Sequence, residues 1–342
     1  MGKHLILAVA GSGKTTTLIS KLNLEQRFLL VTYTTNNLNH LRNSVIRKFG
    51  YFPENIKVCS YFQFLYSFCF KPYCGLTSGA RGITFKRPAD HTRFKPGTDV
   101  FYMTSERLMY SNRIAHYCEQ NCADEIRERL DKYYDWFMVD EVQDIAGRDF
   151  NLLMKIIPEN CNSLFVGDFY QHTYDTSNDG NVNQSLYNDL NGYLGRWRTA
   201  GVEIDHTTLS KTHRCSEEIC EFVVKTGILI GSYGTAKGKV IEVSNEEMAD
   251  SIISNNDIPK LFYAGSSGYD CISMNWGESK GIDYFKDVCV VLNKTTMAHY
   301  LGNTLIELSP QTRNKFYVAC TRAHNNLYLM NVRYLEKWRN NS

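Results

Sequence analysis

No stretch of the 342-residue sequence is apolar for long enough to span a bilayer, which takes about 20 consecutive apolar residues. The N-terminal run Leu5 to Ala10 is short and passes straight into Gly11-Ser12-Gly13-Lys14. It reads as a buried strand, not a signal peptide. Gly2 is followed by Ile6 where a myristoylation signal wants Ser or Thr. No internal repeat or low-complexity tract is evident, which leaves no sequence signature of a solenoid. Charge of one sign is also lacking: 38 Lys and Arg face 36 Asp and Glu, a net of +2. That balance does not exclude a nucleic-acid partner, because binding one needs a basic groove and not a basic whole. The 11 cysteines are odd in number and follow no secretion signal. They read as reduced thiols, and the chain is expected to be cytoplasmic with no membrane partner.

Apolar residues make up 43% of the chain and charged residues 22%, the balance of a globular protein with room for two domains. Short apolar strands alternate with amphipathic helices, the pattern of doubly wound α/β domains with parallel sheets. Strands are expected at Leu5–Ala10, Phe28–Tyr33, Lys57–Ser60, Trp136–Asp140 and Ser163–Gly167, with helices from Lys14, Thr35 and Asp149. In the second half, strands are expected at Glu203–Leu209, Lys239–Val243, Lys260–Tyr263, Val288–Leu292 and Leu327–Met330. Lys71 to Pro96 breaks the alternation, opening a region of about 71–133. A Gly- and Pro-rich stretch, then helices at Ser105–Asn121 and Asp124–Tyr133, read there as an insertion into the first domain. Gly192, Gly195 and Gly201 mark a soft boundary. The expected domains are residues 1–195 and 196–342.

Ala8-Val9-Ala10-Gly11-Ser12-Gly13-Lys14-Thr15 is a phosphate loop with Ala in place of the first Gly. It follows an apolar strand and opens a helix, the context that motif requires. Backbone N–H groups from Ala10 through Gly11, Ser12, Gly13, Lys14, Thr15 and Thr16 can surround phosphate oxygens at the helix N-terminus. Lys14 brings a point charge to the β- and γ-phosphates of ATP, and the Thr15 hydroxyl suits Mg2+. Phe137-Met138-Val139-Asp140-Glu141 places an acidic pair at the C-terminal end of a buried strand, where ligands bind in open α/β sheets. Alone, such a pair reads equally well as a solvated turn. Beside a phosphate loop, Asp140 reads as a Mg2+ ligand and Glu141 as the base for an attacking water.

These residues, with several that follow, resemble superfamily 1 DNA helicases of the UvrD/Rep/PcrA type. Asp140-Glu141-Val142-Gln143-Asp144 is similar to their motif II, and Val31-Thr32-Tyr33-Thr34-Thr35-Asn36 to motif Ia. Ser60-Tyr61-Phe62 stands where motif Ib is expected, and Val166-Gly167-Asp168-Phe169-Tyr170-Gln171 resembles motif III. Leu209 to Arg214, Glu278 to Asp283 and Phe316 to Ala323 resemble motifs IV, V and VI in order. The resemblance implies two RecA-like domains with ATP hydrolysed between them, coupled to movement on single-stranded DNA in the 3′-to-5′ direction, with RNA the less favoured track. It implies that Gln171 senses the γ-phosphate and that Arg214 and Arg322 reach it. It places His213, Gly281 and Asp283 with the nucleotide, and Tyr33, Thr34, Ser60, Tyr61 and Tyr174 on the DNA path. Tyr33 and Tyr61 also read as core packing.

The sequence departs from that family at several points. His213 stands where a tyrosine usually stacks on adenine, and Thr176 replaces an aromatic after Tyr174. Only residues 215–277 separate motifs IV and V, where larger relatives insert an accessory domain. The second reading is therefore a nucleotide- or DNA-sensing regulatory subunit that controls a partner such as a nuclease. Cys69, Cys74, Cys118 and Cys122 fall in or beside the insertion. Four thiolates can hold Zn2+ or an iron–sulfur cluster. Here the spacing lacks a tight Cys-x-x-Cys pair, and buried structural thiols are the expected reading.

Overall fold

The computed structural model describes residues 2–88, 94–173 and 182–340. The chain divides into two compact units. The first comprises Met1–Ile6, Lys14–Gly167 and Asp175–Asp205, and the second Leu7–Gly13, Asp168–Tyr174 and His206–Ser342. Both are α/β with parallel sheets.

In the first unit, β1 (Lys3–Leu7), β2 (Phe28–Thr32) and β3 (Ile56–Ser60) join β6 (Trp136–Asp140), β7 (Asn162–Gly167) and β8 (Glu203–Asp205) in one sheet. Its order is β3-β2-β6-β7-β1-β8. β2 is buried at every position and β6 at all but its first. Such continuous apolar runs suit a sheet covered on both faces. A separate parallel pair joins β4 (Gly82–Thr84) and β5 (Leu108–Tyr110).

Three expectations are corrected here. Glu203–Leu209 was expected as a strand of the second half. The strand is only Glu203–Asp205, and it pairs in parallel with β1 at the edge of the first sheet. The glycine cluster is not all loop: Gly192 and Gly195 lie inside the helix Leu190–Thr199, and Gly201 follows it at φ of 74°. Tyr193, Leu194 and Trp197 of that helix are buried, and Trp197 packs on Phe165 at 4.8 Å between ring centroids. Burial of that face outweighs a glycine penalty of about 1 kcal/mol each. The expected helix Ser105–Asn121 begins only at Ile114. Arg107 has φ of 63°, which breaks a helix, and the chain then enters β5.

The second unit is built on β11 (Val240–Glu242), β12 (Lys260–Phe262), β13 (Ser273–Asn275), β14 (Val288–Leu292) and β15 (Leu327–Asn331). The order is β11-β15-β14-β12-β13, all parallel. A short parallel pair, β9 (Lys211–Thr212) with β10 (Gly231–Ser232), stands apart. One face of the main sheet packs on Trp276, Phe316 and Tyr317, all fully buried. The indole N–H of Trp276 donates to the Leu261 carbonyl at 2.9 Å, so this large side chain leaves no polar atom orphaned.

Candidate functional site

The phosphate loop follows β1 and runs into the helix Lys14–Lys21. Gly11 and Gly13 have φ of 67° and 91°, left-handed values that glycine adopts at no steric cost. A Cβ on Gly11 would lie 2.7 Å from both Arg214 Cβ and Thr212 Oγ1, so no larger residue fits there. The loop is tied down by Val9 N–H donating to the Leu209 carbonyl and by the Gly11 carbonyl accepting from His213 N–H, each at 2.9 Å. The Ser12 hydroxyl is buried and makes no hydrogen bond among the described residues. A buried polar oxygen beside two left-handed glycines is what a loop built to receive a polar anion shows. Thr15 and Thr16 open the same helix and border a groove of about 270 Å3 with His40, Ser44 and Arg47.

In the first unit, Lys14 Nζ lies 3.5 Å from Glu141 Oε1, with both side chains largely buried. Glu141 is left-handed at φ 53° and ψ 46°, a conformation unusual for a non-glycine residue. Its other carboxylate oxygen accepts from Gln143 Nε2 at 2.6 Å, and its N–H donates to Asp140 Oδ1 at 3.1 Å. Burial, and then the Glu141 charge, push Asp140 up to about 7 against the opposing pull of Lys14. A buried carboxylate raised this way is short of positive charge, which suits a divalent cation. Among the described residues, no group of three or more His, Cys, Asp or Glu side chains forms a ready-made metal cage. Any ion at Thr15 and Asp140 would draw its remaining ligands from phosphate and water.

In the second unit, the Arg214 guanidinium meets Asp283. Nε and Nη2 lie 2.7 and 2.6 Å from the same Oδ1, and Nη1 donates to the Thr321 carbonyl at 3.0 Å. His324 Nε2 also lies 3.0 Å from that oxygen. Burial pushes the Asp283 carboxyl up, but Arg214 and His324 outweigh it and hold it below its ordinary value. Arg322 is buried, with Nε bonded to the Val318 carbonyl and Nη1 to the Ile282 carbonyl. Burial, then Arg214, push it down to about 10, which still leaves it charged at neutral pH. The His213 ring is exposed and stacks on Tyr233, 4.1 Å apart at 13°. Gly281 is left-handed at φ 81° two residues before Asp283.

Residues 168–173 group with this unit. Asp168 Oδ2 accepts from Gln171 Nε2 at 2.9 Å and from the Tyr317 hydroxyl at 2.8 Å. Tyr317 in turn accepts from Ala10 N–H at 2.8 Å. Neither Tyr317 nor Gln143 stood out as a site residue in the sequence. Gln143 was visible within Asp140–Asp144 and Tyr317 within the motif VI stretch Phe316–Ala323, but neither was given a role of its own.

The expected nucleic-acid positions fare unequally. Tyr61 is buried and its hydroxyl donates to Asp149 Oδ1 at 2.9 Å. Its ring packs on Tyr33 at 6.1 Å and 19°, and Phe64 lies against it. That environment makes Tyr61 core, as one of its two readings held, and leaves Tyr33 as the half-buried outer ring of the pair. Thr34 caps the helix Thr35–Phe49 by accepting from Asn37 N–H, and Ser60 accepts from Gln63 N–H in a capping box. Both hydroxyls therefore serve helix ends first. Tyr174 lies outside the described residues.

All 11 cysteines are free thiols. Cys69, Cys74, Cys118 and Cys122 are buried, and Cys74 Sγ lies 3.4 Å from Cys122 Sγ. No helix among the described residues is long and apolar enough to cross a membrane.

The chain resembles three solved structures over nearly its whole length. The helicase of PRRSV is 13% identical at a TM-score of 0.49, with 98% of this chain and 54% of that one covered. Arterivirus nonstructural protein 10, a helicase, is 15% identical at 0.49 in its complex with DNA, covering 97% of this chain and 63% of that one. Without DNA it is 16% identical at 0.48, with 97% and 62% covered. The chain thus spans between about half and two thirds of their lengths. No curated protein sequence matches it. Residues 2–177, more than half of the chain, match the model of the AAA domain, a family that implies nucleotide use, and the chain belongs to that family.

Proposed function

We propose that this chain is an ATP-hydrolysing motor of superfamily 1, of the UvrD/Rep/PcrA type, that moves along single-stranded DNA from 3′ to 5′ in the cytoplasm. The observation that carries the reading is the pairing of Lys14 with Glu141 beside a glycine loop and the buried Asp140. A lysine facing a carboxylate pair at strand ends is a phosphoryl-transfer arrangement.

In this reading Gly11 to Thr16 hold the phosphates with backbone N–H groups and Lys14 adds its charge. Thr15 and Asp140 hold Mg2+, which neutralises charge on the phosphate oxygens when bound. Glu141 orients the attacking water and takes its proton, and Gln143 fixes the far oxygen of that carboxylate. Gln171 senses the γ-phosphate. The resemblance to superfamily 1 assigns Arg214 and Arg322 to the same phosphate, where a fork-shaped cation stabilises developing charge. His213, Gly281 and Asp283 serve the nucleotide as well. Tyr33 offers a ring to a base, with Thr34 and Ser60 beside the strand.

The test is an ATPase assay titrated with single-stranded DNA, duplex DNA and RNA, beside a strand-displacement assay. Stimulation greatest with single-stranded DNA supports the motor. Hydrolysis without displacement, together with a co-purifying nuclease, turns the reading to a regulatory subunit. No stimulation by any nucleic acid sinks it.

A further inference from the structure

Ala10 lies one residue before the left-handed glycine of the phosphate loop and is fully buried. Its N–H is held by the Tyr317 hydroxyl at 2.8 Å. A hydroxyl has one proton and two lone pairs. Because the amide must donate, the phenolic proton goes to Asp168 Oδ2, 2.8 Å away. The direction of both bonds is therefore fixed. Asp168 is itself buried, and the same Oδ2 accepts from Gln171 Nε2 at 2.9 Å, while Oδ1 accepts from Tyr170 N–H at 3.2 Å. That bond decides which end of the Gln171 amide faces Asp168. Burial and the Asp168 charge hold the Tyr317 proton in place by pushing it well above the ordinary tyrosine range. Asn314, one turn earlier on the helix Pro310–Cys320, donates to the His172 carbonyl at 3.2 Å and fixes the same segment a second time.

We infer that Tyr317 is a positioning residue for phosphate chemistry, setting the loop backbone at Ala10 and the Gln171 amide from a single oxygen. The inference rests on the proposed ATPase activity and on the sensing role of Gln171. A tyrosine that merely fills the core would make the same ring contacts, but its hydroxyl would not act through Gln171.

A double-mutant cycle with Tyr317→Phe and Gln171→Ala separates the two roles, with ATP hydrolysis measured on chains shown to be folded by thermal melting. Tyr317→Phe keeps the ring and removes only the hydroxyl. It is expected to lower kcat about tenfold or more while KM for ATP moves less than about threefold. In the Gln171→Ala background the same change is expected to cost less than about twofold. Equal losses in both backgrounds, or a loss confined to KM, would overturn the inference. Should Tyr317→Phe fail to fold, Asp168→Asn runs the same cycle through the shared acceptor, and additive losses overturn the inference there too. A wild-type chain with no ATPase activity overturns the proposed function along with it. An active wild type with additive losses overturns the positioning role alone.

Discussion

Arg214 and Asp283 are joined at one oxygen, with two guanidinium nitrogens within 2.7 Å of Asp283 Oδ1. The pair is half open to solvent on the carboxylate side, so Asp283 aims the arginine more than it stabilises the fold. Arg214→Ala is expected to lower kcat for ATP hydrolysis by about 100- to 1,000-fold. Asp283→Asn, which keeps the shape and removes the charge, is expected to cost about tenfold or less. Steady-state ATPase measurements check both, and an Arg214→Ala chain with near-normal kcat would take this arginine out of the phosphate site.

The contact between Lys14 and Glu141 separates binding from chemistry. Lys14→Ala removes the ammonium proposed to meet the phosphates and is expected to weaken nucleotide binding and abolish hydrolysis. Glu141→Gln keeps the loop and removes the carboxylate proposed as the base, so binding is expected to persist while kcat falls by about 100-fold or more. Calorimetric titration with a non-hydrolysable ATP analogue, beside turnover, reads the two effects. Loss of binding in Glu141→Gln would show that this carboxylate builds the site and does not act on water.

Tyr33 and Tyr61 make opposite predictions although they stack on each other. Tyr61→Ala empties a core position and is expected to cost about 3–5 kcal/mol of stability. Tyr61→Phe removes one hydrogen bond to Asp149 and is expected to cost about 1–3 kcal/mol with affinity for oligo(dT) unchanged. Tyr33→Ala is expected to weaken that affinity about tenfold, the worth of one stacked base. Fluorescence anisotropy and denaturant melts on the three variants decide the assignment. Weaker oligo(dT) binding by Tyr61→Phe would place its hydroxyl on the nucleic acid.

His116 makes stability depend on pH. It is 5% exposed, and burial, followed by the charges of Arg148, Arg113 and Lys155, pushes it down from 6.5 to about 4. Tyr102 and Phe101 pack on its ring. The folded value lies below the unfolded one, so between them the unfolded chain binds the extra proton. The contribution is fully present above pH 6.5 and is lost as the pH falls toward about 4, amounting to about 3 kcal/mol at most. Urea melts at pH 7.5 and pH 5 on the wild type and His116→Gln should show a smaller pH difference in the variant. An equal difference would assign the acid lability elsewhere.

The sequence by itself determined the parallel α/β plan and the local chemistry of the phosphate loop. Each depends on a few neighbouring residues. The expected strands Trp136–Asp140 and Val288–Leu292 coincide with β6 and β14, because unbroken apolar runs have few other ways to be buried. Gly11 and Gly13 stand where the backbone is left-handed, and the acidic pair stands at a strand end. Tertiary structure decided what depends on distant partners. β8 joined the first sheet because the edge of β1 was there to pair with it, which no pattern in residues 203–205 announces. Tyr61 became core, its hydroxyl donating to Asp149, 88 residues away. Tyr317 acquired its two partners from 149 and 307 residues away. Local periodicity carries strand and helix, but a hydroxyl's partner is set by which distant groups folding brings within about 3 Å.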